Sequence, residues 1–128
     1  MIEIDIRGLH TIAQKRADNL PVYRGSMRGK RANEVGCMGE LVVMRYFDMC
    51  DAKYADTPNS KHNIQTEYGV FNVKAKERTV VPQKHYECSV QKSKSTAELP
   101  DWYIFVSLMC NKDAKGCGRF TRAWVLGT

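Results

Sequence analysis

The segment HNIQTEYGVFNVKAKERTV, residues 62–80, constrains the fold of this chain most. Polar and apolar residues alternate on both sides of Tyr68-Gly69, so the pattern predicts a strand over 62–67, a tight turn, and a second strand over 70–77. Side chains two apart on a strand point the same way. Phe71, Val73 and Ala75 therefore form an apolar face for a core, while Val70, Asn72, Lys74 and Lys76 share the other face. On the first strand, Asn63, Gln65 and Glu67 lie together. The hairpin has one side for packing and one for chemistry or solvent.

Ahead of it, ANEVGCMGELVVMRYFD (32–48) predicts the main helix, with no proline inside and Asn33 as a candidate cap. Gly36, Glu40, Val43 and Phe47 fall on one helical stripe. Two glycines one turn apart, Gly36 and Gly39, cost helix propensity and point to close approach by another element. Glu40 is an acid among apolar residues, and such a carboxylate is paired or binds a cation. At the N-terminus, Ile2, Ile4 and Ile6 alternate with Glu3 and Asp5, a strand pattern that competes with a helix reaching through Ala13 to Ala17. Residues 49–61 read as loop, with at most an edge strand near Tyr54. Tyr86, Cys88 and Val90 alternate as a strand would, between Pro82 and Pro100. Residues 102–109 (WYIFVSLM) read as a central strand, NKDAKG as a turn, and 118–126 as a last, antiparallel strand. The expected class is α+β: a mixed, mostly antiparallel central sheet flanked by helices, in one domain with residues 1–31 as an N-terminal extension carrying a basic loop.

Charge narrows the function. Twenty Lys and Arg stand against fourteen Asp and Glu, a net of +6, which favours a polyanion such as nucleic acid. Residues 23–31 (YRGSMRGKR) hold Arg24, Arg28, Lys30 and Arg31 and no acid, a flexible arm suited to phosphates. A second basic region, residues 61–95, adds Lys76, Arg78, Lys84, Lys92 and Lys94 beside Lys74. The five cysteines are irregularly spaced, which suits a reducing compartment, and no secretory leader or membrane span is legible, so the expected location is cytoplasmic. His85-x-x-Cys88 and Cys110-x6-Cys117 lack the close CxxC pairs of zinc sites, and the latter two read as small residues flanking a turn. Tyr23, Tyr68 and Tyr86 read as sheet or rim residues rather than base-stacking platforms.

Metal-assisted phosphodiester cleavage needs oxygen ligands for Mg²⁺ and a lysine to orient water or stabilise charge. Gly39-Glu40 in an apolar helix, His62-Asn63-Ile64, and Phe71-Asn72-Val73-Lys74-Ala75-Lys76 together resemble the PD-(D/E)XK nuclease superfamily, especially its small phage-type members. The resemblance spans residue 32 to about residue 109. It implies a restriction-endonuclease-like core, with Glu40, Asn63, Asn72 and Lys74 at the catalytic positions and Mg²⁺ or Mn²⁺ as cofactor. It also implies a homodimer, since two DNA strands need two sites.

The chain departs from that pattern where it matters most. Both strand acids are Asn, and hard cations want charged oxygens. A metal site would draw on Glu40, Glu67, Asn63 and Asn72, with Glu67 as the substitute acid on the face of Asn63. The expectation is a DNA-binding protein with weakened or lost hydrolysis. Its rivals are an active Mg²⁺-dependent endonuclease using Glu40, Glu67 and Lys74, and a protein-binding module of a phage or mobile element.

Overall fold

The alternating segment folds as a hairpin, and the sheet grows from it. A computed structural model of the protein describes residues 1–20, 29–49, 63–83, 100–113 and 116–128. In chain order the elements are β1 (Ile2–Ile4), α1 (His10–Asp18), α2 (Lys30–Tyr46), β2 (Asn63–Thr66), β3 (Gly69–Arg78), β4 (Trp102–Asp113) and β5 (Gly116–Gly127). Five strands form one sheet in the order β1-β5-β4-β3-β2. The β3–β4 pair is parallel and the other neighbours are antiparallel. The class is α+β with a mixed, mostly antiparallel sheet, as the sequence pattern implies.

The β2–β3 turn comes one residue earlier than Tyr68-Gly69. Thr66 pairs with Gly69, which leaves Glu67 and Tyr68 as the loop. Gly69 takes a φ of +117°, where side chains are strained. The last hairpin is also tighter than expected, because β4 runs to Asp113 and β5 restarts at Gly116. The expected strands near Tyr54 and through Tyr86, Cys88 and Val90 lie outside the described residues.

Helix α2 packs on the sheet through a glycine. A Cβ at Gly39 would lie 2.7 Å from the Cβ of Ala75 and 3.4 Å from Cγ1 of Val73. The lost helix propensity is thus exchanged for close approach to β3. The core joins Leu41, Val42 and Val43 of α2 to Ile104 and Leu108 of β4 and Ala123 of β5, all 0–1% exposed. Ile6, Leu9, Ala13 and Ala17 are buried in the same cluster, and β1 pairs with β5. Residues 1–20 are therefore integral to the fold rather than an extension. The strand and helix readings of the N-terminus both hold, over consecutive stretches.

Cys110 takes part in a disulfide and Cys37 is a buried free thiol. The expectation that Cys110 is simply a small apolar residue beside a turn is corrected, because cysteine pairing follows proximity in space, which irregular spacing hides. No helix among the described residues is long and apolar enough to cross a membrane.

Candidate functional site

The polar row of the hairpin begins with two amides. Asn63 lies directly across from Asn72 in the β2–β3 register, and the Asn72 Nδ2 donates to Asn63 Oδ1 at 2.7 Å. Two residues along β3, Lys74 is half-buried with its Nζ 5.9 Å from the centroid of Tyr103, within cation–π reach. Lys76 follows, exposed. Arg78 closes the row, its Nε donating to Ser107 Oγ at 2.9 Å. Asn63, Asn72, Lys74, Lys76 and Arg78 thus share one face of the sheet.

Glu40 approaches from the other side. Phe71, Val73 and Ala75 meet α2, as the Phe47–Phe71 ring contact at 5.1 Å and the Gly39–Ala75 approach define. Alternation sends Asn72 and Lys74 the opposite way. Glu40 is 5% exposed within α2, so the sheet separates its helix from the lysine row. Glu67 does not extend the face of Asn63. It sits in the turn beyond Thr66, exposed, because β2 ends one residue before it. The proposed metal set of Glu40, Glu67, Asn63 and Asn72 is therefore not brought together.

This donor set does not fit a Mg²⁺ or Mn²⁺ centre. Two amides bonded to each other, beside a lysine, offer no anionic oxygen to a hard cation. Among the described residues, no cluster of three or more His, Cys, Asp or Glu side chains could hold a metal.

Arg31, expected to contact phosphate, makes structural bonds. Its Nε donates to Glu77 Oε2 at 2.8 Å, its Nη1 to Glu34 at 3.2 Å and its Nη2 to the Gly118 carbonyl at 2.8 Å. The guanidinium also stacks 4.3 Å from the Phe120 centroid. The cause is helix start: α2 begins at Lys30, two residues before the expected boundary, so Arg31 sits in a helical turn facing β3 and β5. Lys30 remains exposed. Arg24, Arg28, Lys84, Lys92 and Lys94 lie outside the described residues.

A groove of about 720 Å³ adjoins Arg31 between α1, α2 and β5. His10 lines it, and its Nε2 donates to the Phe120 carbonyl at 2.7 Å, since a carbonyl can only accept. Across the sheet, Arg122 lies 4.6 Å over Trp124 and bonds both oxygens of Glu3 at 2.8 Å. Those hydrogen bonds hold the Glu3 carboxyl below its ordinary range.

Reading the sequence missed Tyr103 and Ser107 as neighbours of Lys74 and Arg78. The alternation of WYIFVSLM puts Tyr103 and Ser107 on one face, but only the parallel β3–β4 register sets that face beside the lysines. No family model, curated protein or solved structure matches the chain.

Proposed function

We propose that this chain is a DNA-binding protein related to the PD-(D/E)XK nucleases, with metal-dependent hydrolysis weakened or lost. The carrying observation is the Asn63–Asn72 amide pair beside Lys74. Where the resemblance calls for anionic metal ligands, the face offers neutral amides followed by Lys74, Lys76 and Arg78. Neutral amides can donate to phosphate oxygens and cations neutralise them, whereas a divalent ion gains little there. The net charge of +6 supports the same partner. The active-endonuclease alternative would need Glu40 and Glu67 to converge on Lys74, which the geometry disfavours. A cytoplasmic location and a homodimer belong to this reading as well.

The test is a supercoiled-plasmid assay with Mg²⁺ or Mn²⁺, run beside a gel shift across a salt series. The parent is expected not to cleave. Its DNA affinity should fall steeply with salt, and Lys74→Ala should shift less DNA. Cleavage by the parent that Lys74→Ala abolishes would overturn the loss of hydrolysis. A salt-independent or absent shift would overturn DNA binding.

A further inference from the structure

The far end of the hairpin, away from the lysine row, carries aromatic rings and two carboxylates. Tyr46, Phe47, Asp48, Glu67 and Tyr68 line a cleft of about 490 Å³ between the end of α2 and the β2–β3 turn. Tyr46 and Phe47 meet edge-to-face at 5.0 Å, and Phe47 lies 6.4 Å from Tyr68. Exposure is unusually high for such rings: Tyr68 is 66% exposed and Tyr46 40%. Beneath them Phe71 is buried, and it stacks at 6.2 Å on Trp102, which is 49% exposed.

The backbone of the turn that carries Tyr68 is held by hydrogen bonds. The Tyr68 N–H donates to Thr66 Oγ1 at 3.0 Å, and the Thr66 hydroxyl donates to the Gly69 carbonyl at 3.0 Å. The Trp102 indole donates to the Tyr68 carbonyl at 3.2 Å, and the Val70 N–H to Asp101 at 2.8 Å. A turn whose backbone is fixed in this way presents its exposed ring from one place, which lowers the ordering cost when something stacks on it.

The sign of the potential decides what stacks. Asp48 and Glu67 are exposed, and neither carboxylate is engaged among the described residues. Helix α2 ends beside them, adding the partial negative charge of its last carbonyls. Asp48 also occupies the residue after the helix cap, at φ +56°, where glycine is the least costly choice. Met49 N–H donates to Met44 O at 2.8 Å and Asp48 N–H to Arg45 O at 3.1 Å, closing that cap. An acid there is unfavourable for both backbone and dipole. Bases could stack on these rings, but their phosphates would meet two carboxylates and a helix C-terminus. A cation on the ring faces is favoured by all three.

We infer that this cleft binds an arginine side chain presented by a basic segment of a partner protein. Guanidinium is planar, so it stacks on aromatic faces while bonding carboxylates. The site is separate from the lysine row and does not depend on its reading.

The test titrates the full chain with a short Gly/Ser peptide bearing one arginine, and with the same peptide bearing citrulline, followed by NMR. Shifts are expected at residues 46–49 and 65–68, and the citrulline peptide should bind at least about fivefold more weakly. Asp48→Gly should weaken arginine binding by a similar factor while raising the thermal midpoint, since glycine suits the cap. Equal binding of both peptides, no binding of the arginine peptide, or unchanged affinity in Asp48→Gly would overturn the inference. So would oligothymidylate binding lost in Tyr68→Ser, which would make the occupant nucleic acid. Self-association lost in Tyr68→Ser would make it a second copy.

Discussion

The two faces of β3 divide the work of the molecule. Toward α2, Phe71, Val73 and Ala75 are packed so closely that Gly39 has no room for a Cβ, and Glu77 ends the row as a partner of Arg31. On the opposite face, Asn72, Lys74, Lys76 and Arg78 alternate with them one for one, and their neighbours include Asn63, Tyr103 and Ser107. Strand geometry allots both faces equally many side chains. What separates them is the helix: α2 packs on one face, and the other holds the cations, Lys76 exposed and Lys74 and Arg78 half-buried beside a buried Ser107. It also explains why Glu40, an acid read as part of the lysine's site, belongs to the packing side.

The sharpest way to break this division is to crowd the packed face. Gly39→Val should destabilise by about 3 kcal/mol, because the nearest atom is the immobile Cβ of Ala75. Chemical denaturation measures it, and Gly39→Ala combined with Ala75→Gly should recover part of the loss seen in Gly39→Ala alone. Next comes Arg31→Ala, which leaves half-buried Glu77 and Glu34 without that cation and should cost about 2 kcal/mol. A purely DNA-contacting Arg31 would instead leave stability unchanged. Removing the amide bond with Asn72→Ala should cost about 1 kcal/mol. Lys74→Ala on the other face should change stability by less than about 0.5 kcal/mol yet lower DNA affinity in a low-salt gel shift.

The smallest effect is in pH. Glu3 is held below its ordinary range by its hydrogen bonds to Arg122. A depressed carboxyl stabilises the fold above the ordinary glutamate range, and the contribution fades as pH falls through the lowered value. The pair is solvent-exposed on both sides, so the slope should be slight. Thermal midpoints from pH 6 to 3 should lose that slope in Arg122→Met.

Much of the scaffold was legible because it repeats locally. Alternation over 62–77 and the uninterrupted 32–48 segment each bury an apolar face that only one period satisfies. Gly39 was legible as a contact point, though its partner Ala75 was not. The site was less so. Glu67 was placed on a strand face because alternation was extended one residue too far, and turn position overrode it. Arg31 looked like part of a loop because glycines precede it, yet helix start and two acids distant in sequence captured it. Tyr68 was legible only as a turn or rim residue and Asp48 only as the end of the helical segment, since exposure and cap geometry arise only once α2 and the hairpin turn meet.

By itself, then, the order of residues determined the hairpin, its lysine row, the missing strand acids and the positive charge, all set by neighbours within a few positions. Tertiary structure decided which side of the sheet α2 covers, and with it that Glu40 and Lys74 do not share a site. It also decided that Arg31 is spent on Glu77, and that an acid and a tyrosine 20 positions apart line one cleft. The reason is physical: periodicity specifies that a face is buried, but only packing specifies against what.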